Sequence, residues 1–67
     1  MSIRKMTTGQ KIKHFRLLKG ISKSELARQS GITFQSIYMI EEREQVPKIE
    51  TLKKLAKPLG TKWEELA

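Results

Sequence analysis

"SKSELARQSGITFQSIYMIE", Ser22–Glu41, decides the fold. Ser22 followed three residues later by Glu25 is an S-x-x-E pattern, which opens a helix by giving exposed backbone N–H groups a side-chain acceptor. Leu26 and Ala27 turn inward, and Gly31 permits the positive φ of a sharp turn. Thr33 then caps a second helix at once. On that helix Ile37 and Ile40 are spaced to face a core. Gln35, Tyr38, Met39 and Glu42 fall at i, i+3, i+4 and i+7 on the other side, with Phe34 at the start. Ordinary solvent faces are charged, whereas this one carries an amide, a phenol, a thioether and a single carboxylate.

Similar punctuation continues on both sides. Thr8 precedes "GQKIKHFRLLK", in which Ile12, Phe15 and then Leu18 or Lys19 recur at helical spacing before Gly20. "EREQVP" reads as a loop. Pro47 suits the start of a fourth helix whose apolar stripe is Ile49, Leu52, Leu55, Ala56 and Leu59. Gly60 stops it, and Thr61 with Glu64 forms a second S/T-x-x-E pattern opening "KWEELA". The predicted helices span residues 8–19, 23–30, 34–42, 48–58 and 62–67, and no useful β-alternation interrupts them. The expectation is one all-α domain over 1–67, a compact five-helix bundle. Pro58 conflicts with its helix, because it lacks an N–H and crowds the carbonyl of Lys54. The fourth helix is expected to kink or end early there, or Leu59-Gly60 to continue as an irregular turn.

Composition narrows the function. The 67 residues include 14 Lys and Arg against 7 acids, a net charge of +7. Residues 1–33 hold eight basic side chains and only Glu25, while residues 34–67 hold six of each sign. A polyanion is the natural partner, through steering and counterion release. The alternatives are a basic surface without a target, or anionic lipid, although no helix joins a wide apolar face to a basic one. With no cysteine, disulfides and thiolate metal sites are excluded. His14 stands alone without an aspartate, so no metal or other cofactor is expected. No nucleophile–base–orienter set suggests an enzyme either. "MSIRKM" lacks the apolar region of a secretory signal, and no run reaches membrane-spanning length, which predicts a cytoplasmic protein. Trp63 is expected to pack over the fourth helix or against Phe15, with a dimer contact as the alternative.

Helices two and three are separated only by Gly31-Ile32-Thr33. Ile32 plugs the angle between them, and Ala27 is small enough for close approach. That spacing is a helix-turn-helix pattern, in which the second helix enters the DNA major groove. The stretches "IKHFR", "KGISKSELARQSGITFQSIYMIE" and "VPKIETLKKLAKPLG", within residues 12–60, resemble the Cro/C1-type (XRE-like) helix-turn-helix family of phage repressors and bacterial regulators. "WEEL" matches the family's short last helix. The resemblance implies a lambda-repressor-like DNA-binding domain, usually a homodimer on a palindromic operator, in a bacterium or on a phage or mobile element.

Carried over by position, the resemblance places Thr33, Phe34, Gln35, Tyr38 and Met39 against base edges. The Gln35 amide can pair bidentately with adenine, and Phe34 and Met39 can lie against thymine methyls. Phe34, Tyr38 and Met39 read equally as a protein-contact patch or peripheral core. Phosphate contacts are expected from Lys23, standing where the family has glutamine, and from Arg43, Lys48 and Arg16. The resemblance also implies a partly buried ion pair between Arg16 and Glu41. This chain departs from the pattern at "EREQ", Glu42–Gln45. Two glutamates near the DNA backbone would weaken nonspecific affinity, and Arg43 at the family's glycine position is expected either to carry left-handed strain or to end the helix differently. The function expected is a sequence-specific transcriptional repressor. The competing reading is a protein-interaction module on the same fold, antitoxin-like or coactivator-like.

Overall fold

The first helix begins at Thr8, as expected, and Thr7 is its N-cap. The computed structural model describes residues 5–67, so Arg4, counted above among the basic residues, lies outside them. Helix α1 spans Thr8–Leu18. The Thr7 hydroxyl accepts from the Gln10 N–H at 3.2 Å, and the Gln10 side-chain oxygen accepts from the Thr7 N–H at 2.9 Å. Two otherwise orphaned donors are thus satisfied reciprocally, by a T-x-x-Q box that the sequence reading did not single out.

Four further helices follow: α2 Lys23–Ser30, α3 Phe34–Glu42, α4 Ile49–Leu59 and α5 Trp63–Leu66. The described residues contain no strand, and none of the helices is long and apolar enough to cross a membrane. The α2–α3 turn depends on Gly31, at φ 77° and ψ 7°. Nothing lies within 4 Å of where its Cβ would be, so backbone conformation rather than space calls for glycine there.

The core consists of Ile12, Leu26, Ile37, Ile40, Leu52, Leu55, Ala56, Leu59 and Leu66, with Phe15, Ile21, Ala27, Ile32 and Trp63 packed against it. Each large aliphatic side chain contributes roughly 1.5–3 kcal/mol by leaving water. Trp63 therefore packs as expected, and the Lys53 ammonium lies 5.9 Å from its ring centroid. Two apolar expectations fail. Leu18 is exposed, because the inward line of α1 is Gly9, Ile12 and Arg16, and a residue six beyond Ile12 falls well around the helix. Ile49 is also exposed, since it lies in the first turn of α4, just after the solvent-facing Val46 and Lys48.

Gly9 lets α1 approach α3. A Cβ there would lie 2.1 Å from the Ile40 carbonyl oxygen, so the two helices touch through backbone at this point. Pro58 does not end α4 early, because the helix runs through it to Leu59. Leu59 is buried, and reaching the core requires that extra residue. The proline sits in the last turn, where only one backbone bond is lost. Gly60 at φ 71° then closes the helix, with the Gly60 N–H donating to Lys57 and the Thr61 N–H to Ala56, both at 3.1 Å. That commits Thr61 to the end of α4. The expected Thr61–Glu64 box is not made, and Lys62 occupies the N-cap of α5 without a side-chain bond.

Candidate nucleic-acid interface

Helix α3 is anchored on one side and free on the other. Ile37 and Ile40 are buried among the core residues, 0% and 3% exposed. Its start is fixed by Thr33, whose hydroxyl accepts from the Ser36 N–H at 3.1 Å and donates to the Ser36 hydroxyl at 2.9 Å. Phe34, Gln35 and Tyr38 are exposed and Met39 is half-buried. The Phe34 and Tyr38 rings, one turn apart, stack with centroids 6.4 Å apart and an interplanar angle of 26°. The five residues expected to read bases thus lie together on the outer face of α3 and at its cap, with Thr33 also serving as that cap.

The far end of α3 is held by Arg16 and Glu41. Arg16 Nε donates to Glu41 Oε2 at 2.9 Å, and Nη2 donates to Oε1 at 3.0 Å. Nη1 donates to the Ile21 carbonyl at 2.9 Å, while the Ile21 N–H donates back to the Arg16 carbonyl at 3.2 Å. One guanidinium therefore ties α1, the α1–α2 turn and α3 together. The two side chains are 7% and 0% exposed. Such burial leaves Arg16 little surface to offer a phosphate.

The other cations expected at phosphates are accessible. Arg43 and Lys48 are exposed, and Lys48 lines a groove of about 440 Å³ together with Gly31, Thr33, Ser36 and Gln45. Lys23, the first residue of α2, reaches across to α3, where its Nζ lies 3.9 Å from Glu42 Oε1. Cationic groups thus stand near both ends of the outer face.

Two local features refine the expectations for α3 and α2. Of the two alternatives at Arg43, the helix ends differently: Arg43 takes φ −112°, and the left-handed residue is Glu44, at φ 53°. The Met39 carbonyl accepts from both Arg43 N–H at 3.0 Å and Gln45 N–H at 3.2 Å, which wraps the chain around Glu44. The S-x-x-E box of α2 is half formed. Ser22 accepts from the Glu25 N–H at 3.0 Å, but the Glu25 carboxylate turns to Arg28 and to Gln29, the latter at 2.7 Å. Those donors hold the Glu25 carboxyl below its ordinary range, Arg28 first and Gln29 second, and the same contact raises Arg28. The i, i+3, i+4 run of Glu25, Arg28 and Gln29 carried that signal in the sequence. Reasoning from sequence also missed the pairing of Lys23 with Glu42, which joins distant helices. Among the described residues, no group of three or more His, Cys, Asp or Glu is placed to hold a metal ion.

A family model described as helix-turn-helix matches residues 12–66. An uncharacterized HTH-type transcriptional regulator of Methanocaldococcus jannaschii is 32% identical over 56 residues, covering 84% of this chain and 85% of that protein. No solved structure matches.

Proposed function

The chain belongs to the Cro/C1-type helix-turn-helix family of DNA-binding regulators, and from that premise we propose that it is a sequence-specific repressor reading duplex DNA with α3. The observation that carries this reading is the division of α3 into two faces. Ile37 and Ile40 are consumed by the core, while an uncharged face of Gln35, Tyr38 and Met39, led by Phe34, is offered outward. Base edges call for amide and apolar partners as much as for cations. Thr33 and Gln35 supply hydrogen-bonding groups, and Phe34, Tyr38 and Met39 supply apolar contact.

Lys23, Arg43 and Lys48 contact phosphates and set the register without reading sequence. Arg16 contributes by fixing the angle of α3 through Glu41, and any phosphate contact it makes is secondary to that pair. One bundle of this size covers a single half-site. Useful affinity then comes from a homodimer on a palindromic operator, its half-sites about one helical turn apart. The setting for such a protein is the cytoplasm, where the DNA is.

Selection of bound sequences from a random duplex pool tests the reading. A recovered motif with two-fold symmetry is expected. Enrichment of no motif, alongside NMR shifts on a surface other than α3 when duplex is added, would refute it. In that event the Phe34–Tyr38 pair is better assigned to a protein partner.

A further inference from the structure

The cation best placed to meet DNA from α2 already has a partner. Lys23 Nζ lies 3.9 Å from the Glu42 carboxylate, and the two side chains keep 23% and 34% of their surface exposed. That distance exceeds a hydrogen bond, so the contact is charge attraction across a gap that solvent reaches. The carboxylate and an approaching phosphate would therefore draw on the same ammonium. Its backbone cannot drift far, because the preceding residue, Glu41, is locked by Arg16.

Glu42 is otherwise poorly placed. It is the last residue of α3, where the helix dipole presents its negative end and disfavours an anion. Lys23 offsets that cost only while the two charges remain together.

We propose that Glu42 is a built-in competitor for DNA phosphate at Lys23, setting how tightly the protein holds DNA of any sequence; this rests on the DNA-binding reading above. A phosphate that takes Lys23 must outweigh the attraction of Glu42, whose carboxylate then faces the phosphate as a like charge. The effect falls on a backbone contact and not on the base-facing residues Gln35 and Tyr38. It therefore lowers affinity for every sequence alike, which shortens residence on nonspecific DNA.

A double-mutant cycle tests the coupling. The full chain, Glu42→Gln, Lys23→Ala and the double variant are titrated with a random-sequence duplex over a series of salt concentrations, after thermal melts confirm that each variant folds. Glu42→Gln is expected to bind roughly fivefold tighter, the scale of one exposed ion pair. Its log K against log salt plot should steepen by up to about 0.9, one phosphate's share. In the Lys23→Ala background the same substitution should gain less than about twofold. An equal gain in both backgrounds would show general repulsion instead of competition at Lys23, and no gain in either would remove the competitor altogether; both overturn this proposal while leaving DNA binding intact. Failure of all four folded proteins to bind duplex at low salt would overturn the DNA-binding reading as well.

Discussion

Arg16 and Glu41 meet fork to fork, through two parallel hydrogen bonds of 2.9 and 3.0 Å, and the guanidinium's remaining terminal nitrogen donates to the Ile21 carbonyl. Because neither side chain is appreciably exposed, removing one partner strands a charge that water cannot reach. Glu41→Leu is expected to cost about 3–5 kcal/mol in urea denaturation. Adding Arg16→Met should restore most of that loss, since an apolar pair replaces an ionic one at little net cost. If Glu41→Leu alone proves nearly neutral, the pair does not hold α3.

The parts of the fold legible in the sequence are those set by local periodicity and caps. Ile12, Leu26, Ile37, Ile40, Leu52 and Leu55 all lie in the core, as their spacing implies. Ser22 and Thr33 accept the backbone bonds expected of N-caps. What escaped notice depends on partners far along the chain. Nothing near Gly9 announces that the Ile40 carbonyl will lie against it, and nothing near Lys23 announces Glu42. The burial of Leu59 carried α4 past a proline that local rules place at its end. For the same reason the outer face of α3 was legible as poor in charge, whereas the pairing of its one carboxylate, Glu42, with Lys23 was not.

Gly9→Ala separates propensity from packing. In an isolated helix alanine is favoured over glycine by about 1 kcal/mol. Here the added methyl would meet the Ile40 carbonyl oxygen, with only 2.1 Å available. Neither backbone can give way cheaply, so a net loss of about 2–3 kcal/mol is expected. Chemical denaturation measures it, and a gain in stability would place α1 farther from α3 than described.

Glu44 and Arg43 make a matched pair of tests. Glu44 holds φ 53°, a conformation costing an L-residue roughly 1–2 kcal/mol. Glu44→Gly relieves that strain but adds chain entropy to the unfolded state, so a gain of about 0.5–1 kcal/mol is expected. Arg43 has an ordinary negative φ, and Arg43→Gly should be slightly destabilising instead. Thermal melts of both variants decide which residue carries the left-handed turn, and the reverse ranking would move it back to Arg43.

The Glu25 carboxyl should titrate below its usual value of 4.5, because Arg28 and then Gln29 donate to its charged form. A lowered carboxyl pKa stabilises the fold above the unfolded-state value, and that contribution disappears as pH falls through the folded-state value. The group is exposed, so the site midpoint is the informative quantity rather than the melting temperature. An NMR titration of the Glu25 side chain should show the midpoint rising in Arg28→Ala, with Gln29 retaining part of the shift. A midpoint unaffected by Arg28→Ala would mean that the pair does not persist in solution.

Gln35 and Lys48 should fail in different ways if α3 reads bases. Gln35 is exposed on the outer face, and its amide can match both hydrogen-bonding groups of one adenine. Gln35→Ala should therefore lose roughly 1–3 kcal/mol against the preferred operator and relax the preference at a single position. Its salt slope should not change, because no charge has been removed. Lys48, which lines the groove beside Thr33, would then meet the DNA backbone. Lys48→Ala should weaken every sequence alike and flatten the log K against log salt slope by about 0.9. Measured on a panel of single-base operator variants, the first substitution changes the ranking and the second preserves it. Identical behaviour of the two would mean that neither residue reads sequence, and the base-contacting face would have to be sought elsewhere on the bundle.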